Sequence, residues 1–222
     1  MSINLYIVRH GETYINKYNR IQGWTNAPLT EKGIQDGQAA GERLQHIIFD
    51  RAYSSDLERA VTTAQMVLEQ NNHTDASLLQ SLPELREQFF GYFDGISNNV
   101  AAQAIAKKRG LSTTTTFAQL TRQLGPFKII NAIHEADPTG DAETAVIFWQ
   151  RLMNGFKQIA AESPENANVL LVSHGRLLST LGQHFAQLDG DHAEPDNGAV
   201  SLWQLTGDHL TLRVFNDLET IW

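Results

Sequence analysis

Two histidines stand where the sequence abruptly changes character. In "NLYIVRHGET" the apolar run Leu5–Val8 breaks off at Arg9-His10-Gly11, and in "NVLLVSHGRLL" the run Val169–Val172 breaks off at Ser173-His174-Gly175. A short apolar run bounded by polar residues predicts a buried strand, so each imidazole is expected just past a strand end. In open α/β sheets, ligands bind outside the carboxyl ends of the strands, and there the two rings can face each other. A single histidine of this kind is usually a strand cap bonded to a loop. Two, each followed by glycine and accompanied by arginine, point to chemistry.

Several chemistries are disfavoured by residue type and spacing. The eight histidines include no H-E-x-x-H pair and there is no cysteine, so a zinc site lacks ligands. The acidic stretch "LDGDHAEPDNG" fails as a calcium-binding EF-hand because, counting the loop from its first aspartate, alanine stands at the fifth loop position and no glutamate at the twelfth. Neither G-x-x-x-x-G-K-[ST] nor G-x-G-x-x-G occurs, so nucleotide cradles are unsupported. Ser173 precedes His174, but there is no G-x-S-x-G elbow to expose it as a nucleophile. Phosphoryl transfer through nitrogen remains; it needs a neutral imidazole and cations around the phosphoryl oxygens.

The elements that must position these residues alternate between strand and helix. Strands are predicted at Asn4–Val8, Arg51–Ser54, about Ser77–Leu82 and Asn168–Ser173, and "AVSLWQLTGDHLTLRVFN" alternates as a hairpin turning at Thr206-Gly207-Asp208. Thr30 is a plausible cap for the helix in "PLTEKGIQDGQAAGERL", and Ser55 or Asp56 for the helix carrying Leu57, Val61, Ala64 and Leu68 on one face. In "ETAVIFWQRLMNGFKQIAAES" the predicted buried face is Val146, Trp149, Leu152 or Met153, Phe156 and Ile159, and a further helix is expected over Leu177–Phe185. Residues from about 98 to 141 read as two helices, closed by Gly110 and Gly125 and joined by a threonine-rich linker. This stretch is expected as an insertion over the sheet edge within one domain spanning 1–222. The alternation implies a layered α/β domain with a mostly parallel sheet.

Composition sets outer limits. Of 222 residues, 41% are hydrophobic and 19% charged, as in an ordinary globular chain large enough for one sizeable core. The net charge of −8 repels nucleic acid and anionic membrane, so an anionic ligand requires a local cationic site. No stretch has the length of a bilayer span and the N-terminus lacks a signal-peptide layout, so a cytoplasmic location is expected.

The segments "VRHGET", "SDLERA", "LREQFFGYFDG" and "LVSHGR" resemble, in that order and across nearly the whole chain, four signatures of the histidine phosphatase superfamily, the phosphoglycerate mutase-like proteins. The resemblance implies a three-layer α/β/α sandwich with a mostly parallel central sheet. It also implies roles. His10 matches the nucleophile that becomes phosphohistidine, Arg9 and Arg59 the phosphate-clamping arginines, and His174 the second histidine, which donates to the phosphoryl group. Gly11 is expected to let the backbone approach the phosphate, and Asn16, Gln22 and Gly23 to make further polar contacts with phosphate and substrate. Gly175, directly after His174, joins this substrate-binding set. Glu87, four residues before Gly91, has the spacing of the general acid; Glu84 is the competing candidate. Phe89, Phe90, Tyr92 and Phe93 are candidate pocket residues or core. No metal or cofactor is expected, because the arginines and His174 supply the positive charge.

Three activities are compatible with these residues. A phosphatase would hydrolyse small phosphomonoesters through His10; a phosphoglycerate mutase would return the phosphoryl group to bound glycerate; a non-catalytic member would only bind phosphorylated ligands or a partner. Against the mutase, Glu87-Gln88-Phe89-Phe90-Gly91 stands where the family's mutases carry E-R-H-Y-G, and Arg122 has no arginine neighbour to complete their arginine pair. The phosphatase is the reading favoured by sequence.

Overall fold

In the computed structural model, which describes residues 2–188 and 194–222, a six-stranded sheet runs in the order β3-β2-β4-β1-β5-β6. The strands are β1 (Ser2–Arg9), β2 (Arg51–Ser54), β3 (Leu79–Ser81), β4 (Asn168–Ser173), β5 (Val200–Thr206) and β6 (His209–Asp217). The β3-β2-β4-β1 pairings are parallel, and the β5–β6 hairpin adds two antiparallel pairings at one edge. The helices are α1 (Tyr14–Lys17), α2 (Glu31–Arg43), α3 (Glu58–Gln70), α4 (Asn98–Lys108), α5 (Phe117–Ala136), α6 (Ala145–Glu162) and α7 (Gly175–Ala186).

β1 is apolar at nearly every central position because helices cover both of its faces. Ile3, Leu5 and Ile7 pack with Phe148, Leu152, Phe156 and Ile159 of α6 and Leu177, Leu178 and Leu181 of α7. Tyr6 and Val8 point the other way, into Ala40 of α2 and Ala60, Ala64, Val67 and Leu68 of α3. The expected three layers follow from this alternation. Arg9 is in register with Ser173 across the parallel β1–β4 pair, so the next residue on each strand is a histidine. Ser54 is in register with Val172, and α3 leaves β2 at the same edge. Register therefore delivers His10, His174 and Arg59 to one place.

Several local expectations shift. Thr30 caps α2 by accepting from the Gly33 amide, as read from sequence. Neither Ser55 nor Asp56 caps α3 as its N-cap residue; that position is Leu57, without a side-chain cap. Ser55 faces His174 instead, and Asp56 pairs with Arg86. On α6 the buried row is Ala145, Phe148, Leu152, Phe156 and Ile159, while Val146 lies outside at 63% exposure. Thr144 caps that helix, and steps of three and four residues from Ala145 select the buried row, leaving Val146 about a quarter-turn away. β3 is shorter than expected because Ala76–Leu78 form a 3₁₀ turn before it.

Helices α4 and α5 pack on each other around a third apolar cluster that includes Ala101, Ile105, Leu120, Ile129 and Ile133. Gly125 interrupts α5 with φ 76°, and Pro126 restarts it, so the expected end at Gly125 is a kink between two helical stretches. Lys107 and Lys108 lie in the last turn of α4, and the neighbouring Arg109 pairs with Glu135. The acidic stretch weighed for calcium lies partly outside the described residues, at 189–193.

Gly11 is fixed by a backbone crossing. A β-carbon there would sit 2.1 Å from the Gly33 carbonyl oxygen, inside the first turn of α2. Gly11→Ala is therefore expected to destabilise the fold by about 3 kcal/mol, through overpacking against backbone that cannot rotate away. Urea unfolding would show it as a lowered midpoint at unchanged slope; an unaltered midpoint would contradict the crossing.

Candidate active site

His10 is 3% exposed, and its Nδ1 lies 2.8 Å from the Gly11 carbonyl oxygen. A carbonyl only accepts, so Nδ1 carries the proton and Nε2 the lone pair. Nε2 accepts from Arg59 Nε at 3.2 Å. The His174 ring lies 5.1 Å away, centroid to centroid. Its Nδ1 accepts from Arg59 Nη2 at 3.1 Å, leaving Nε2–H to donate to Ser55 Oγ at 2.6 Å. Both imidazoles are held well below the usual 6.5, first by burial and then by the Arg59 charge, so both are neutral in neutral solution. His174, which sequence reasoning aimed at the phosphoryl group, is fully buried here, with both ring nitrogens engaged by Ser55 and Arg59.

Arg59 is 1% exposed and is the hub of the arrangement. Besides the two histidines it donates to the carbonyls of Gly23 and Thr25. Burial lowers its pKa to about 10, partly offset by Glu87 and Asp94, and it stays charged at neutral pH. It pairs with neither of its chain neighbours Glu58 and Asp56, the latter being held by Arg86. Arg9 bonds the Pro195 carbonyl and lies 3.4 Å from Glu194, while its Nε is buried without a partner.

Glu87 is buried beside them. Its Oε1 accepts from the Gln88 amide at 2.8 Å and its Oε2 from the Arg176 amide at 2.9 Å. Burial raises its pKa above the usual 4.5, against the opposing pull of those two amides and of the Arg176 and Arg59 charges. The loop carrying it is clamped from behind. Arg151 donates to the carbonyls of Glu84, Arg86 and Glu87 while pairing with Glu143, and Trp24 Nε1 also donates to the Glu87 carbonyl. Ser173 Oγ bonds the Leu85 carbonyl, a structural role in place of a nucleophilic one. Glu84 sets its Cβ close to Gly155 of α6.

A cavity of about 310 Å³ opens over this group, lined by Arg9, His10, Asn16, Gln22, Glu87 and Arg176 among others. Asn16 caps α1 in a reciprocal box with Thr13, and Gln22 accepts from the Thr13 hydroxyl. Backbone groups of two of the glycines bond within the protein. The Gly11 amide donates to Thr63 Oγ1 rather than facing the cavity, and the Gly23 amide donates to Asp94 while its carbonyl holds Arg59. Gly175 leaves room for Arg9, whose Cζ would lie 3.2 Å from an added β-carbon. Of the four clustered aromatics, Phe90 lines the cavity; Phe93 is core, Phe89 stacks with Trp24, and Tyr92 is 55% exposed. Sequence reasoning missed Ser55, Arg151 and Arg176. Arg176 was legible beside His174 in "SHGR", whereas Arg151 sits within an amphipathic helix and carries no local signal.

A neutral imidazole nitrogen lies beside the buried Arg59 guanidinium and the half-buried Arg9, at the carboxyl edge of a parallel sheet, an arrangement whose charge and geometry suit a phosphoryl group. The chain matches the model of the histidine phosphatase superfamily (branch 1) over residues 5–121 and 110–218, and it belongs to that family. It is 28% identical over 192 residues, 86% of this chain and 77% of the other, to 2,3-bisphosphoglycerate-dependent phosphoglycerate mutase 2 of Gloeobacter violaceus. The crystal structure of phosphoglycerate mutase from Bacillus anthracis superposes with a TM-score of 0.85 at 31% identity, covering 98% of this chain and 94% of that one. Alpha-ribazole phosphatase from Shigella flexneri superposes with a TM-score of 0.71 at 28% identity, covering 98% of both chains. Both mutases and phosphatases thus resemble this chain. No helix among the described residues is long and apolar enough to cross a membrane.

Proposed function

We propose that the protein is a phosphomonoester hydrolase that works through a phosphohistidine at His10. The observation that supports this most is the pairing of a neutral His10, whose Nδ1–Gly11 bond leaves the lone pair on Nε2, with a Glu87 held toward its protonated form in the same cavity. An ordinary glutamate and histidine near pH 5.5 would be carboxylate and imidazolium, useless for this purpose. Burial moves both toward the neutral state in which one attacks and the other donates.

Nε2 attacks phosphorus as the ester P–O bond breaks, and Glu87 gives its proton to the departing alkoxide oxygen. Arg59 must release Nε2 as the phosphoryl group arrives, and its fork together with Arg9 takes up the phosphoryl oxygens. Water then attacks the phosphohistidine, Glu87 carboxylate accepts its proton, and phosphate leaves with His10 neutral again. A mutase reading, in which bound glycerate replaces that water, is supported by the mutases among the similar proteins. The missing arginine pair and the "EQFFG" segment favour the hydrolase.

A panel of phosphorylated metabolites, assayed for phosphate release alongside bisphosphoglycerate-dependent mutase activity, separates the two. Label from a phosphorylated substrate, quenched in alkali, is expected on the peptide containing "VRHGET". Interconversion of phosphoglycerates without phosphate release would instead make the protein a mutase, and no label with any ester would overturn both. Turnover should survive exhaustive chelation, because the arginines supply the positive charge; loss restored only by a divalent ion would contradict that.

A further inference from the structure

Arg176 is 6% exposed, yet its guanidinium donates no hydrogen bond and forms no ion pair among the described residues; its Nε is buried without a partner. An arginine carries five N–H donors, and a buried unpaired cation is costly unless something anionic meets it. Its backbone amide holds Glu87, whose two carboxylate oxygens accept from the Gln88 and Arg176 amides and make no contact with the Arg176 guanidinium among the described residues. The phosphoryl position already has Arg9 and Arg59. Arg176 lies where the cavity over His10 meets a second cavity of about 520 Å³.

Arg176, Phe117, Asn98 and Glu194 line both spaces, so they mark the junction. The second space runs between the start of α5 and α7. It combines the apolar surfaces of Phe117, Pro126 and Leu188 with the Thr121 hydroxyl, which is buried and unpartnered. The first cavity suits a phosphoryl group and a few atoms; the second has the size that houses a ring-containing ligand. Arg176 lies 6.0 Å from the Phe117 ring centroid, so a cation and an aromatic face sit together at the entrance.

We propose that the substrate's alcohol portion carries a second anionic group, bound by Arg176, on a ring-sized, largely apolar body that occupies the second cavity against Phe117. This rests on the hydrolase reading for the identity of the transferred group, and adds to it the class of leaving group. A phosphorylated glycerate would satisfy Arg176 and leave the second cavity unfilled.

Phosphonates, whose P–C bond cannot be hydrolysed, test this apart from turnover. Calorimetric affinities would be compared for benzylphosphonate, its three ring-carboxylated isomers and phosphonoacetate. The best carboxylated isomer is expected to bind about tenfold or more tighter than benzylphosphonate, the range of a charge-assisted hydrogen bond. Arg176→Gln should shrink that ratio to about twofold or less, with Arg176→Lys intermediate because it keeps charge without the fork. Phe117→Ala should weaken both benzyl ligands relative to phosphonoacetate. These ratios keep their meaning if a variant binds every ligand less well. A ratio near one in the unaltered protein, a ratio that survives Arg176→Gln, or phosphonoacetate matching the best isomer would each overturn the proposal. Failure to label His10 would overturn the hydrolase reading and leave these affinities standing.

Discussion

His10→Ala is expected to lower turnover of any phosphomonoester by about four orders of magnitude or more, and to abolish alkali-stable labelling with it, as loss of a nucleophile does elsewhere. The reason lies in the geometry around the ring. The Gly11 carbonyl fixes the proton on Nδ1, and burial, then the adjoining guanidiniums, oppose a second proton, so His10 brings an unprotonated Nε2 to the cavity it lines with Glu87. His174 is not expected to take over, because it is fully buried and, unlike His10, does not line the cavity. Thermal unfolding of the variant would exclude a folding defect as the cause. Substantial turnover without label would mean that water attacks the ester directly.

Glu87→Gln is expected to slow an alkyl phosphate by about a hundredfold or more, the usual contribution of a positioned acid. An alkoxide is a strong base and needs its proton as the P–O bond breaks. An aryl phosphate such as p-nitrophenyl phosphate leaves as a weak base, and its transfer to His10, followed before steady state, should fall much less. The pH profile offers a second reading. Burial raises the pKa of Glu87 and lowers that of His10, so kcat/KM for the alkyl ester should decline as alkali deprotonates Glu87, and that limb should vanish in the glutamine variant. Glu84→Gln should show no substrate contrast, since Glu84 packs against α6. Equal losses on both substrates for Glu87→Gln would reduce Glu87 to a positioning residue, and the contrast at Glu84 would reverse the assignment.

The sequence by itself determined the layers, because burial on two faces demands apolar strands such as "LYIV" and because alternation of strand and helix leaves few topologies. It also determined which residues could meet: His10 and His174 each follow a parallel strand end, and Arg59 lies in the first turn of the helix after a third. Local patterning erred where two faces compete, as at Val146, and where a polar side chain had a distant partner, as at Ser55 and Asp56. Only the tertiary structure decided the electrostatic state of the site. Tautomers and pKa directions depend on burial and on charges far apart in sequence, such as Arg59 between His10 and His174. It likewise decided that Gly11 is required by Gly33 and that Arg151 braces the Glu87 loop from 64 residues away in the chain. That Arg176 has no ion-pair partner among the described residues could not be read from sequence, since whether a cation has a partner is a property of everything folded around it.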